Sequence, residues 1–162
     1  MNRKFIIGFV IGGLLGIIPG FALGVYLLPI WVASEGATEI ERAEAVRQSV
    51  RKGEFRRDLK GSDFGHWGEG TIIQSMEGGQ TYFTLKGEVS PGPDYKLYLA
   101  PRFVETEAEF EAIKDDSVRV ADITAFENFR VAVPMKVNVD AYPVVVVWCE
   151  RFREFITAAR LH

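Results

Sequence analysis

The sequence predicts an all-β domain, an antiparallel sandwich or barrel-like fold, carried behind a single transmembrane helix and a short stalk helix. Three observations predict it. Phe5 to Val32 is a run of 28 residues without a charge. From Glu54 onward the apolar residues alternate in short runs separated by turn residues, the period of strands rather than helices. Val144-Val145-Val146-Val147-Trp148-Cys149 carries no polar alternation, so it reads as a strand covered on both faces. The divisions that follow are an anchor at 1–33, a stalk at 34–53 and a β domain at 54–162.

The uncharged run is the first element. At a helical rise of about 1.5 Å per residue it reaches roughly 42 Å, more than a hydrocarbon core of about 30 Å. It is longer than the apolar region of a signal peptide, and Trp31 stands where cleavage after Ala33 would want a small residue. The expectation is an uncleaved signal anchor that contacts the lipid bilayer through residues 5–32. Arg3 and Lys4 precede the run, whereas Glu35 and Glu39 are the first charges after it. The positive-inside rule then leaves the N-terminus in the cytoplasm and the C-terminal domain extracytoplasmic, periplasmic or extracellular. Tyr26, Pro29 and Trp31 mark the outer end, and Pro19 is expected to kink the span.

Gly8, Gly12, Gly16, Gly20 and Gly24 recur every fourth residue within the run. Such a glycine zipper suits close crossing of two helices, so it marks a homodimer seam or a docking face for another membrane helix. The stalk follows. Thr38 with Glu41 reads as a capping box and Gly53 as a helix stop, with Ile40, Ala43, Val46 and Val50 on one face.

The strands come next. Thr71 to Met76 and Thr81 to Leu85 flank Gly78-Gly79 and predict a hairpin. Tyr95 to Leu99 alternates with Tyr95, Leu97 and Leu99 on one face, and Val118 to Ile123 and Phe129 to Val133 follow. Pro134 ends the last of these because it cannot donate to a ladder. A final strand is expected over Phe152 to Ile156. One helical insertion is predicted from Thr106 to Lys114, with a second capping box at Thr106 and Glu109 and with Phe110 and Ile113 inward.

Composition narrows the chemistry. The chain has 19 basic and 22 acidic residues; without Arg3 and Lys4 the basic count falls to 17, a net charge of −5. That disfavours a nucleic-acid partner. No Ser-His-Asp arrangement, phosphate loop or dinucleotide fingerprint is visible, so no enzymatic class is assigned. The acidic stretch from Glu105 to Asp116 reads as a solvated helix face, and Gly92-Pro93-Asp94 as a turn.

Cys149 is the only cysteine. One thiol cannot form a disulfide within the chain, and no Cys-x-x-Cys or Cys-x-x-Cys-His exists for dithiol or haem chemistry. Cys149 lies at a strand end, where a thiol can reach a rim, and Arg151 shares its parity if the strand continues. Read alone, it is either a buried small hydrophobe or a working thiol. His66 is the one histidine besides the terminal His162, too few ligands with Cys149 for a zinc site. No metal ligand is assigned and the cofactor is unknown.

Several segments carry a likeness: Gly53-Glu54-Phe55, Gly65-His66-Trp67-Gly68-Glu69-Gly70, Gly92-Pro93-Asp94-Tyr95-Lys96-Leu97-Tyr98-Leu99 and Phe126 to Pro134. Tyr142-Pro143 leads into the aliphatic run, Trp148-Cys149 and Arg151-Phe152, and Phe155 and Ala159-Arg160-Leu161 complete the set. In this order they resemble the electron-transfer DM-thirteen domain family over about residues 52–161. The resemblance implies a small β-rich extracytoplasmic module engaged in redox or electron transfer with an unnamed redox partner. It implies Cys149 as the working group and places the family's histidine region at His66, where this chain has a single histidine. The expected function is thus a membrane-anchored redox domain centred on a lone cysteine. The alternative is a non-catalytic binding or adhesion module in which the cysteine is core packing.

Overall fold

A computed structural model describes residues 3–162, with the side chains of Phe5, Ile18, Ala22 and Tyr26 excepted. The interfacial role expected of the Tyr26 ring lies outside the described residues. The chain divides into two compact units, Met1–Val32 and Ala33–His162.

The first unit is one helix, α1 (Arg3–Trp31), which runs through Pro19 and Pro29. Its segment Ile6–Val25 has a mean hydropathy of 2.3 and is long and apolar enough to cross a membrane. At Gly8, Gly12, Gly16, Gly20 and Gly24 there is open space where a side chain would stand.

The second unit begins with α2 (Glu39–Arg47), capped reciprocally by Thr38 and Glu41 as the sequence predicts. The helix stops at Arg47, not at Gly53. Ser49 already belongs to β1 (Ser49–Phe55), which pairs with β2 (Gly68–Glu77). Gly53 serves that strand: a Cβ there would stand 2.5 Å from the Arg160 carbonyl oxygen. The expected stalk segment therefore contributes both a helix and a strand to this unit. α2 packs through the buried Ala45 and leaves Ile40 and Val46 exposed, and Val50, also exposed, lies in β1.

The remaining elements are β3 (Gln80–Val89), β4 (Tyr95–Ala100), α3 (Glu107–Glu111), β5 (Val118–Ile123), β6 (Arg130–Ala132), β7 (Val144–Cys149) and β8 (Glu154–Arg160). Two four-stranded sheets result, ordered β1-β2-β3-β6 and β5-β4-β7-β8, with every pairing antiparallel. The β2–β3 hairpin turns at Gly78-Gly79, both at positive φ, as expected. The last strand starts at Glu154 rather than Phe152, because Glu150 to Arg153 form the turn that returns from β7.

Both sheets contribute to one core. Phe55, Ile72, Phe83 and Leu85 come from the first; Leu97, Leu99, Val145, Val147 and Cys149 come from the second. This arrangement fits a β-sandwich. A second cluster covers the opposite face of β4 and β7, where Phe110 and Ile113 close over Tyr98, Val146 and Trp148. All six residues of β7 are buried, which explains its lack of polar alternation. At α3, Thr106 accepts from Glu109, but the Glu109 carboxylate takes the Glu105 N–H (2.7 Å), so the expected second box closes one residue early.

Candidate functional site

The turn between β3 and β4 builds the site, and each residue of Gly92-Pro93-Asp94-Tyr95 has a separate task. Gly92 leaves room for the Tyr95 ring: a Cβ on it would stand 2.6 Å from the ring's Cζ. The Pro93 carbonyl accepts the Cys149 S–H at 3.0 Å. Asp94 takes a positive φ of 61°, accepts from Lys96 Nζ at 2.6 Å and offers its carbonyl to the Glu150 N–H. Tyr95 opposes Cys149 in the β4–β7 ladder, and both point into the shared core. Its ring meets Phe126 edge-on at 5.9 Å.

Cys149 is 2% exposed. Burial pushes its thiol above the ordinary value of 9.0. Backbone N–H groups of Phe152 and Arg151 oppose that rise, while the carboxylates of Asp94 and Glu154 add to it. The sulfur therefore donates to a carbonyl, and the turn amides offset part of the effect of burial. The expected open rim and cationic neighbour are both corrected. The strand stops at Cys149, Arg151 is exposed in the turn, and Arg153 reaches away to Glu111 at 2.8 Å. Because the chain turns from Glu150 onward, the strand parity that would have brought Arg151 to the sulfur ends at Cys149.

His66 lies in the loop before β2. Asp63 Oδ1 accepts the Gly65 and His66 N–H groups, each at 2.7 Å, and Oδ2 lies 3.1 Å from His66 Nδ1. The hydrogen bond from His66 holds the Asp63 carboxyl below its usual range against the opposing effect of burial. Two bonds tie this loop to the end of β3: Trp67 N–H to Ser90 Oγ (3.1 Å) and Ser90 N–H to the Trp67 carbonyl (2.9 Å). Ser90 in turn neighbours the Tyr95 hydroxyl. Burial raises the Tyr95 phenol well above its ordinary range; Ser90 opposes that rise, and Cys149 and Asp63 reinforce it. Tyr95 thus opposes Cys149 in the ladder and feels the charge of Asp63. No hydrogen bond joins His66 to Cys149 directly, and among the described residues no group of three or more metal-ligating side chains could hold an ion.

The family model Electron transfer DM13 matches residues 58–161. The chain belongs to that family. The match begins at Asp58, within the loop that leads to His66, and so spans β2 to β8, the Gly92-Pro93-Asp94-Tyr95 turn and Cys149. The electron-transfer description assigns the DM13 domain a redox role as a whole. No curated protein and no solved structure matches the chain.

Within the DM13 domain, sequence reasoning singled out Cys149 and His66 but missed Tyr95, Ser90 and the Pro93 carbonyl. A Gly-Pro-Asp turn immediately before an inward-facing aromatic was the available signal. The bonding role of a backbone carbonyl 56 residues away leaves none.

Proposed function

We propose that this chain is a membrane-anchored, extracytoplasmic electron-transfer domain in which Cys149 is a shielded redox thiol. One observation carries the reading. Although the sulfur is buried, it meets polar backbone: it donates to the Pro93 carbonyl at 3.0 Å, and the amides of Arg151 and Phe152 oppose the effect of burial on it. Tyr95 and, through Ser90, the Asp63–His66 loop line the same end of the domain. The thiolate is the reactive form, so a protonated, buried Cys149 is quiescent until the Glu150–Arg153 turn moves. With one cysteine in the chain, its open routes are a sulfenic acid, a disulfide to another chain or a bound group.

The anchor is supported by the 28-residue uncharged run, by Arg3 and Lys4 before it and by Glu35 and Glu39 after it. The open space along Gly8 to Gly24 supports pairing of this helix with a second copy or another membrane helix. In this reading the anchor gives way near residue 33 to the unit that carries the electron-transfer domain, and α2 and β1 belong to that unit.

A second reading is favoured by the burial itself. A thiol 2% exposed and pushed above 9.0 also suits plain packing in a binding or adhesion module. Native-state thiol labelling, followed by mass spectrometry from neutral pH to above 9.0, separates the two. The redox reading expects labelling faster than global unfolding and rising with pH, and reversible oxidation that Cys149→Ser removes with the melting transition retained. If label enters only as the whole domain unfolds, and Cys149→Ala costs about 1 kcal/mol or more, packing is the correct account.

A further inference from the structure

We propose that Tyr98 is a one-electron redox site with Glu150 as its proton acceptor, on the face of β4 and β7 opposite the cysteine. The proposal rests on the electron-transfer role of the family and not on Cys149 being the redox thiol.

The geometry is that of a proton-coupled site. The Tyr98 hydroxyl donates to Glu150 Oε1, and Lys114 Nζ donates to Oε2 at 2.6 Å. Among the described residues Tyr98 is the only tyrosine whose hydroxyl donates to a carboxylate. Burial pushes the Glu150 carboxyl up, but the hydrogen bonds from Lys114 and Tyr98 outweigh it and hold the group ionised. A positioned base within hydrogen-bond reach is what phenol oxidation requires, because the phenolic proton must leave with the electron. Tyr98 itself is buried, while Glu150 and Lys114 border solvent, so the proton has an exit.

The neighbouring rings decide where the oxidised state rests. Phe110 lies 5.2 Å from Tyr98 and 5.0 Å from Trp148, which is fully buried. The Trp148 indole N–H has no hydrogen-bond partner. Lys114 Nζ stands 5.7 Å from the Tyr98 ring and 5.4 Å from the Trp148 ring. A ring cation beside that ammonium is opposed by like charge. Oxidised Trp148 has no base to take its proton, whereas Tyr98 does, so Tyr98 holds the radical.

The step balances. One electron passes from Tyr98 to a high-potential one-electron oxidant, a ruthenium(III) polypyridyl in the test below, and the phenolic proton passes to Glu150. A neutral phenoxyl radical and a neutral carboxylic acid result; the reverse step restores both. The site is linked to the thiol by the chain itself, since Trp148, Cys149 and Glu150 are consecutive.

The test uses the full chain in detergent micelles, flash-oxidised by a ruthenium polypyridyl with persulfate and read by electron paramagnetic resonance. A tyrosyl signal is expected that Tyr98→Phe abolishes, with near-ultraviolet circular dichroism showing the fold intact. Glu150→Gln is expected to slow its formation on the order of 100-fold. In the unmodified chain the rate should fall as Glu150 is protonated below 4.5, the surrounding groups being Tyr98, Lys114, Arg119 and Asp94. The same signal should persist in Cys149→Ser, so failure of the thiol reading leaves this one standing. A signal that survives Tyr98→Phe, a rate unmoved by both Glu150→Gln and acid, or loss of the signal in Cys149→Ser overturns the proposal.

Discussion

Cys149 shows how far a single residue can be read from sequence. Its solitude, its place at the end of an apolar strand and the doubt between packing and chemistry were all legible. Its surroundings were not, because they are made by backbone atoms from distant turns. Strand parity correctly turned Tyr95, Leu97 and Leu99 inward, yet gave no hint that the Tyr95 ring lies over Gly92. Parity failed for Arg151 because it assumed a strand where the chain turns. Gly92→Ala tests whether the Tyr95 ring shields the thiol. A methyl there meets the ring's Cζ at 2.6 Å, so the ring must shift. The expected loss is roughly 1–3 kcal/mol in denaturant unfolding, with faster native labelling of Cys149. Unchanged labelling would mean that Tyr95 does not shield the thiol.

Among the elements, those with local signals were the legible ones. The β2–β3 hairpin declared itself through Gly78-Gly79, and Phe110 and Ile113 face inward as their spacing predicts. α2 was found by its cap but given the wrong end, because glycine after a helical pattern usually stops a helix and Gly53 instead admits a neighbouring carbonyl. The final strand was placed early because the turn from β7 carries Phe152, an apolar residue that is exposed. The cap of α2 is open to measurement. Thr38→Ala removes the hydroxyl that accepts the Glu41 N–H and leaves the backbone N–H that Glu41 accepts, and the helix docks through Ala45, so about 1 kcal/mol of the unit's stability should go, read as a lower denaturation midpoint with an unchanged slope. A helix that merely tethers would lose its cap without moving the midpoint.

The molecule as a whole reads from sequence as anchor, stalk and β domain, because an uncharged run, a capped helical pattern and an alternating region differ in period and composition. The two-sheet order was not readable, since β6 adds beside β3 and β4 beside β7 through long-range pairings that no local pattern announces. The glycine series makes its prediction at this scale. Gly12→Leu with Gly16→Leu fills the open stripe and should reduce the dimer fraction of the full chain in detergent by at least about tenfold, measured by cross-linking or energy transfer. An undiminished dimer would take the stripe out of the assembly.

The six buried residues of β7 have one further consequence. Consecutive side chains there serve opposite compartments, the sulfur on one side and the indole on the other. Inserting or deleting a single residue would send the large ring toward Tyr95 and strand the sulfur among the aromatics beyond the sheet. This stretch can therefore tolerate exchange of one aliphatic for another far better than any change in its length.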